Sequence, residues 1–264
     1  MNFNCYKTKL DALYNKYNKR EFVYPDPLYF LYNYKENHDM EIAGLIASCL
    51  AYGNVKQILK SINSVLGFMS PSPLLFLEKT NKEKLLSSFK SFKHRFTTGE
   101  ELSLFLFNIK KVIEKYDSLG KCFSQNFASN KGNILATLSG FVNELKQNNN
   151  RHSTLLPDPD KKSALKRLNL YLRWMVRKDD VDVGAWEVSP AILLIPLDTH
   201  IYHFSRGLSI TDRKSADLKT VLEITDFFKQ ICPVDPIKYD FSITRLGIRE
   251  ELNLKDFIME CKTV

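Results

Sequence analysis

The chain has 264 residues, 44% of them apolar, and a formal net charge of +8 at pH 7. The length suits one large domain or two closely joined lobes, and the apolar share excludes wholesale disorder. The basic excess favours a polyanionic partner, through phosphate neutralisation and counterion release.

The opening MNFNCYKTKLDALYNKYNKR holds no signal-peptide apolar block, and the longest apolar runs fall far short of the roughly 20 residues of a membrane span, so a cytoplasmic protein is expected. EIAGLIASCLAY (41–52) reads as an almost wholly apolar, buried helix. VKQILKSINSVL (55–66) repeats Val55, Ile58, Leu59, Ile62, Val65 and Leu66 at helical spacing. Between these helices, Gly53 is suited to close the first in the left-handed conformation and Asn54 to cap the second. Thr98 and Glu101 have capping-box spacing ahead of a periodic run.

GNILATLSGFVNELK (132–146) is another expected helix. KQNNNRHSTLLPDPDKK (146–162) is polar, broken by Pro157 and Pro159, and reads as a connection between two lobes. SALKRLNLYLRWMVRK (163–178) is a strong helical pattern, followed by the irregular DVDVGAWEVSP. THIYHFSRGL, SADLKTVLEITDFFKQI and IKYDFSITRL read as the remaining helices. No convincing β alternation, internal repeat, GxGxxG, phosphate-binding loop, HEXXH or GxSxG occurs. The expected architecture is all-α, a two-lobed helical unit over 1–264 with its connection near 147–162.

The five cysteines (Cys5, Cys49, Cys122, Cys232, Cys261) are scattered without CxxC or iron–sulfur spacing, so reduced thiols and no metal centre are expected. On 163–178, Lys166, Arg173 and Arg177 fall within about 20° of one another at 100° per residue, with Lys162 and Leu170 about 40° to either side. That basic stripe is either a solvated face or the lining of a cleft for a phosphodiester backbone. Lys166 stands at the helix start, near the positive end of the dipole, which disfavours an ammonium; a neutral lysine amine is a nucleophile able to form a Schiff base. Asp198, after Pro196 and Leu197, has the position of an N-cap. A carboxylate anchored there also suits stabilisation of a cation-like transition state. His200 and His203 lack metal-ligand partners at useful spacing and read as structural or DNA-facing. Trp174, Trp186 and Tyr171 are either core residues or a stacking wall. FKSFKHRF (89–96) interleaves aromatics with Lys90, Lys93, His94 and Arg95, suited to tracking a phosphate backbone or to packing.

LDTHIYHFSRGL (197–208) resembles the aspartate motif of the helix-hairpin-helix DNA glycosylases. KKSALKRLNLY resembles the hairpin segment that ends in their catalytic lysine, DPIKYDFSITRLGI their closing helix with its Leu-Gly pair (Leu246-Gly247), and EIAGLIASCLAYGN the helix before their DNA-wedging loop. These segments span about residue 40 to 250. Two departures stand out. The glycines of the family's hairpin are replaced by Lys162 and Ala164, and Lys166 and Asp198 lie 32 residues apart. The longer interval, VRKDDVDVGAWEVSP, resembles the archaeal 8-oxoguanine glycosylase branch, and KRLNLYLRWMVRK also resembles a bacterial family without an assigned activity.

The resemblance implies a base-excision-repair enzyme: a DNA glycosylase with AP-lyase activity on an oxidised purine such as 8-oxoguanine. Lys166 would be the nucleophile and Asp198 the stabilising carboxylate. Lys162, Arg173, Arg177, Tyr52, Asn54 and His200 would contact double-stranded DNA that holds a damaged base. It implies no cofactor, no metal and no membrane, and a monomer suffices. A monofunctional glycosylase for another lesion and a non-catalytic nucleic-acid-binding protein remain as alternatives.

Overall fold

A computed structural model describes residues 3–147, 153–249 and 253–262 of the chain. The fold is all-α. Helix α1 spans Phe3–Tyr17, and two 3-10 turns follow at Arg20–Phe22 and Pro27–Asn33. Helices α2 (Asn37–Leu50), α3 (Val55–Phe68), α4 (Pro73–Glu78) and α5 (Lys82–Ser88) lead to a minute antiparallel hairpin, β1 (Lys93–His94) and β2 (Thr97–Thr98). Then come α6 (Gly99–Tyr116), α7 (Leu119–Ser129), α8 (Ile134–Leu145), α9 (Lys166–Val176), α10 (Thr199–Gly207), α11 (Leu218–Ile231), α12 (Asp240–Ile248) and α13 (Leu254–Lys262).

The most apolar helix of the sequence lies innermost. Every residue of α2 from Ile42 to Leu50 is buried, and the helix packs against α9 and the turn at Pro27–Asn33. Its buried Glu41 accepts from Leu119 N at 3.0 Å and from Trp186 Nε1 at 2.8 Å, so a carboxylate caps the start of α7 inside the core. Burial raises its pKa. Trp186 in turn packs against Phe123 and Tyr171.

The capping residues read from the sequence act as caps. Asn54 Oδ1 accepts from Lys56 N at 3.0 Å, and Thr98 Oγ1 from Glu101 N at 3.2 Å. Only half of the expected capping box forms. The Glu101 carboxylate accepts from Thr154 N at 2.6 Å and from Ser153 Oγ at 3.0 Å. It thereby fixes the end of the connecting segment onto α6; residues 148–152 of that segment lie outside the described residues.

The irregular stretch after α9 doubles back on that helix. Gly184 N donates to Trp174 O at 3.1 Å and Trp186 N to Met175 O at 2.8 Å, satisfying carbonyls that a helix end leaves without partners. The five cysteines form no disulfide. Among the described residues no helix is long and apolar enough to cross a membrane, and no group of three His, Cys, Asp or Glu side chains is placed to hold a metal ion.

Candidate functional site

The start of α9 is built by two departures from ordinary backbone, three residues apart. Lys162 (φ 55°) and Leu165 (φ 50°) both adopt the left-handed conformation, and no side chain caps the helix. Leu218 N donates to Lys162 O at 3.0 Å, and Ser163 bridges to Asp217, so the turn is held against the start of α11. This delivers Lys166 as the first residue of α9. It is exposed and has no hydrogen-bond or ion-pair partner among the described residues. Lys162, also exposed, lies in the turn and not on the helix, so it does not continue a helical stripe.

Asp198 is the N-cap of α10, and its Oδ1 accepts from Ile201 N at 2.8 Å. It is only partly buried, because one face borders a cavity of about 680 Å3. Lys166 lines the same cavity, as do Tyr52, His200 and Arg173. Apolar walls come from Ile58, Leu170, Leu197 and Ile248. Capping and lining are therefore compatible for Asp198: the helix start holds the carboxylate in place while it borders the cavity.

The other expected residues separate. Arg177 is 3% exposed and does not line the cavity. It pairs with Asp179 at 2.8 Å, with Asp235 at 2.9 Å and with Asp182. A guanidinium so enclosed has no face left for a phosphate, which corrects the expectation of a DNA contact there. Arg173 is 2% exposed and pairs with Asp182 at 3.1 Å and Asp240 at 2.6 Å; it reaches the cavity as part of its floor, not as a phosphate-facing stripe. Beyond Lys166 the stripe is closed, because Asp179 and Asp182, carried by the longer interval before Asp198, fold onto its two arginines together with Asp235 and Asp240.

Tyr52 lines the cavity, but its hydroxyl is occupied, lying 3.0 Å from His94 O and 2.6 Å from Thr97 Oγ1. Arg167 covers its ring at 5.0 Å. Asn54 is exposed, with its side chain used as a cap. Gly53 has φ 102°, and a Cβ there would fall 2.8 Å from Arg95 Cδ. The segment 89–96 does not pack as one amphipathic unit. His94 is fully buried, with Nδ1 2.9 Å from Ser61 Oγ and Nε2 3.1 Å from Tyr52 O. Its neighbour Phe96 is 73% exposed. Trp174, Trp186 and Tyr171 are core residues and line no part of the cavity, and His203 is exposed away from it.

Sequence reasoning missed the far side of the cavity. Asp240, Thr244 and Arg245 on α12 line it, together with Asp26. Arg245, 1% exposed, donates to Phe22 O at 3.1 Å and to Asp26 Oδ2 at 3.0 Å, and lies over the Phe241 ring at 4.4 Å. Burial pushes the Asp240 carboxyl up to about 6. The signal was present in DFSITRL: Asp240 and Thr244 recur at helical spacing within an otherwise apolar run, which places both on one face.

Fold and site together define an all-α protein with a cavity walled by apolar side chains, bordered by a lysine and an aspartate at two helix starts, and floored by buried charge. A family model described as "Protein of unknown function (DUF2400)" matches residues 26–249, and the chain belongs to that family. No curated protein and no solved structure matches the chain.

Proposed function

We propose that this protein is a DNA repair glycosylase with AP-lyase activity, acting on an oxidised purine, and that Lys166 and Asp198 carry its chemistry. The observation behind this reading is that two residues 32 positions apart, an unpartnered lysine and an anchored carboxylate, border one cavity of about 680 Å3. That volume is within the roughly 300–1,000 Å3 typical of small-molecule sites and accommodates a base turned out of a duplex. The net charge of +8 suits a polyanion.

In this mechanism the unprotonated Lys166 Nζ attacks the anomeric carbon of the everted nucleotide. The glycosidic bond breaks and the base leaves with the bonding electrons. The Asp198 carboxylate, held by Ile201 N, stabilises the positive charge that develops on the sugar and takes part in moving the lysine's proton. Opening of the sugar ring gives a Schiff base, and elimination of the 3′ phosphate cuts the strand.

Borohydride reduction tests this directly. Wild-type protein on a duplex containing 8-oxoguanine is expected to become covalently linked to DNA, and Lys166→Gln is expected to give no adduct. Absence of an adduct from wild type, both on 8-oxoguanine and on an abasic site, would refute the lyase reading.

A further inference from the structure

Three arginines line the first cavity, and they differ in what neutralises them. Arg173 is paired with Asp182 and Asp240, and Arg245 with Asp26. Arg167, the residue after Lys166, has no carboxylate partner among the described residues. It is half-buried, and its Nη1 donates to Cys49 O at 2.8 Å and to Thr154 O at 2.7 Å. The guanidinium also lies over the Tyr52 ring at 5.0 Å. Neutral partners alone therefore fix this charge in place. Its Nε and Nη2 stay open to solvent and donate to nothing among the described residues. Those two nitrogens form the edge from which a guanidinium gives two parallel N–H bonds to an oxyanion.

Arg167 also borders a second cavity, of about 540 Å3, which adjoins the first: Tyr52, Pro157 and Ser163 line both as well. Lys146 and Lys161 belong to the second cavity, where the one carboxylate is Asp158, 4.0 Å from Lys161. Phe96, 73% exposed, gives it an aromatic face. Its volume too is within the roughly 300–1,000 Å3 of small-molecule sites. A cation on the wall between two cavities suits an anion whose two sides reach into both. A phosphodiester is such a group, since it carries one negative charge and joins a nucleoside on either side.

We infer that Arg167 holds the phosphodiester between two adjacent nucleotides of one strand, the everted one in the first cavity and its neighbour in the second. This deepens the glycosylase reading and rests on it, adding a second unstacked nucleotide to the first. The neighbour's base lies against Phe96, where any base can stack because each has a π-face. Lys146 and Lys161 add charge that follows the backbone without reading sequence. The phosphate contact expected of Arg173 and Arg177 thus falls to the one arginine of α9 that no carboxylate has claimed.

The test measures binding of the whole chain to duplexes with a tetrahydrofuran residue at one position, which lacks both the base and the carbon chemistry of the reaction. A neutral methylphosphonate replaces one linkage at a time along that strand. One of the two linkages beside the tetrahydrofuran is expected to cost wild type about tenfold in affinity, the scale of a charge-assisted hydrogen bond. The same replacement should cost Arg167→Gln less than about twofold. Arg167→Gln should also lower the slope of log affinity against log salt by about 1. The second cavity is tested at the neighbour on that side. Phe96→Ala should weaken binding at least about fivefold when the neighbour carries a base. When a second tetrahydrofuran replaces the neighbour, Phe96→Ala should have no effect.

Equal losses in wild type and a folded Arg167→Gln at both flanking linkages overturn the inference, as does a Phe96→Ala effect that persists without the neighbouring base. Should Arg167→Gln not fold, the wild-type scan decides alone: the inference fails if neither flanking linkage costs more than linkages at the ends of the strand. Failure to bind any duplex defeats the glycosylase reading and this inference with it. A borohydride adduct on 8-oxoguanine without the phosphate coupling defeats only the inference. Coupling without an adduct defeats the lyase reading and leaves the two-nucleotide site standing.

Discussion

The imidazole of His200 occupies the space that a side chain at Gly247 would need: a Cβ there would lie 2.0 Å from Nδ1 and 2.7 Å from Cγ. Helix α10 therefore meets α12 through a bare backbone, and the glycine of the Leu246-Gly247 pair is what allows His200 to sit at the cavity. Gly247→Ala should force the ring out and destabilise the fold by about 1–3 kcal/mol, as overpacking does. His200→Ala in the same chain should recover most of the loss. Urea denaturation of the two single variants and the double variant, treated as a cycle, measures the coupling.

The Arg177 cluster has a structural consequence. Arg177→Ala would leave Asp182, 1% exposed, with one cation in place of two and Asp235 with none of its present partner. Removing one member of a buried ion pair typically costs about 3–5 kcal/mol, because the other charge stays desolvated. The expected result is a lower urea midpoint with an unchanged slope. A loss under about 1 kcal/mol would show that the pairing contributes little.

Asp240 sets a pH dependence. Its folded pKa is raised from 3.8 to about 6, chiefly by burial. The native state thus binds a proton that the unfolded chain has released between those values. This group's contribution to stability is fully present below about pH 4 and is lost as pH rises through about 6. Comparing urea midpoints of wild type and Asp240→Asn from pH 4 to 7 should show the gap moving in the variant's favour with rising pH. A constant gap would contradict the shift.

Lys166 should separate chemistry from folding. It is exposed and unpartnered, so Lys166→Gln is expected to change stability by no more than about 0.5 kcal/mol while abolishing the borohydride adduct. Thermal melting and trapping on the same preparation check both halves.

Phe96 is the exposed tip of a hairpin that His94 and Tyr52 pin beside the cavity. If the protein engages DNA as proposed, this ring is placed to stack on a base of the opened duplex. Phe96→Ala should then weaken binding by about 1–3 kcal/mol and leave the melting temperature unaltered. Equal affinity of variant and wild type for an abasic duplex would remove Phe96 from the interface.

The sequence by itself determined the all-α class, the burial of 42–50, the caps at Asn54, Thr98 and Asp198, and a helix within 163–178, which the structure starts only at Lys166. Each of these depends on neighbours within a few positions, through apolar spacing, a side-chain acceptor near a free N–H, or a turn residue. The short hairpin at 93–98 escaped notice because two residues per strand leave no alternation to read. Tertiary structure alone decided the fate of the arginines. On a helical wheel Arg173 and Arg177 share a face with Lys166, but charge says nothing about which side meets solvent once Asp179 and Asp182 fold back from the segment just after the helix and Asp235 and Asp240 arrive from elsewhere in the chain. The cavity floor is hidden from the sequence for the same reason. Asp26, Arg173 and the α12 pair Asp240 and Arg245 are distant along the chain, and only tertiary packing, with Arg173 on Asp240 and Arg245 on Asp26, brings them to the same place.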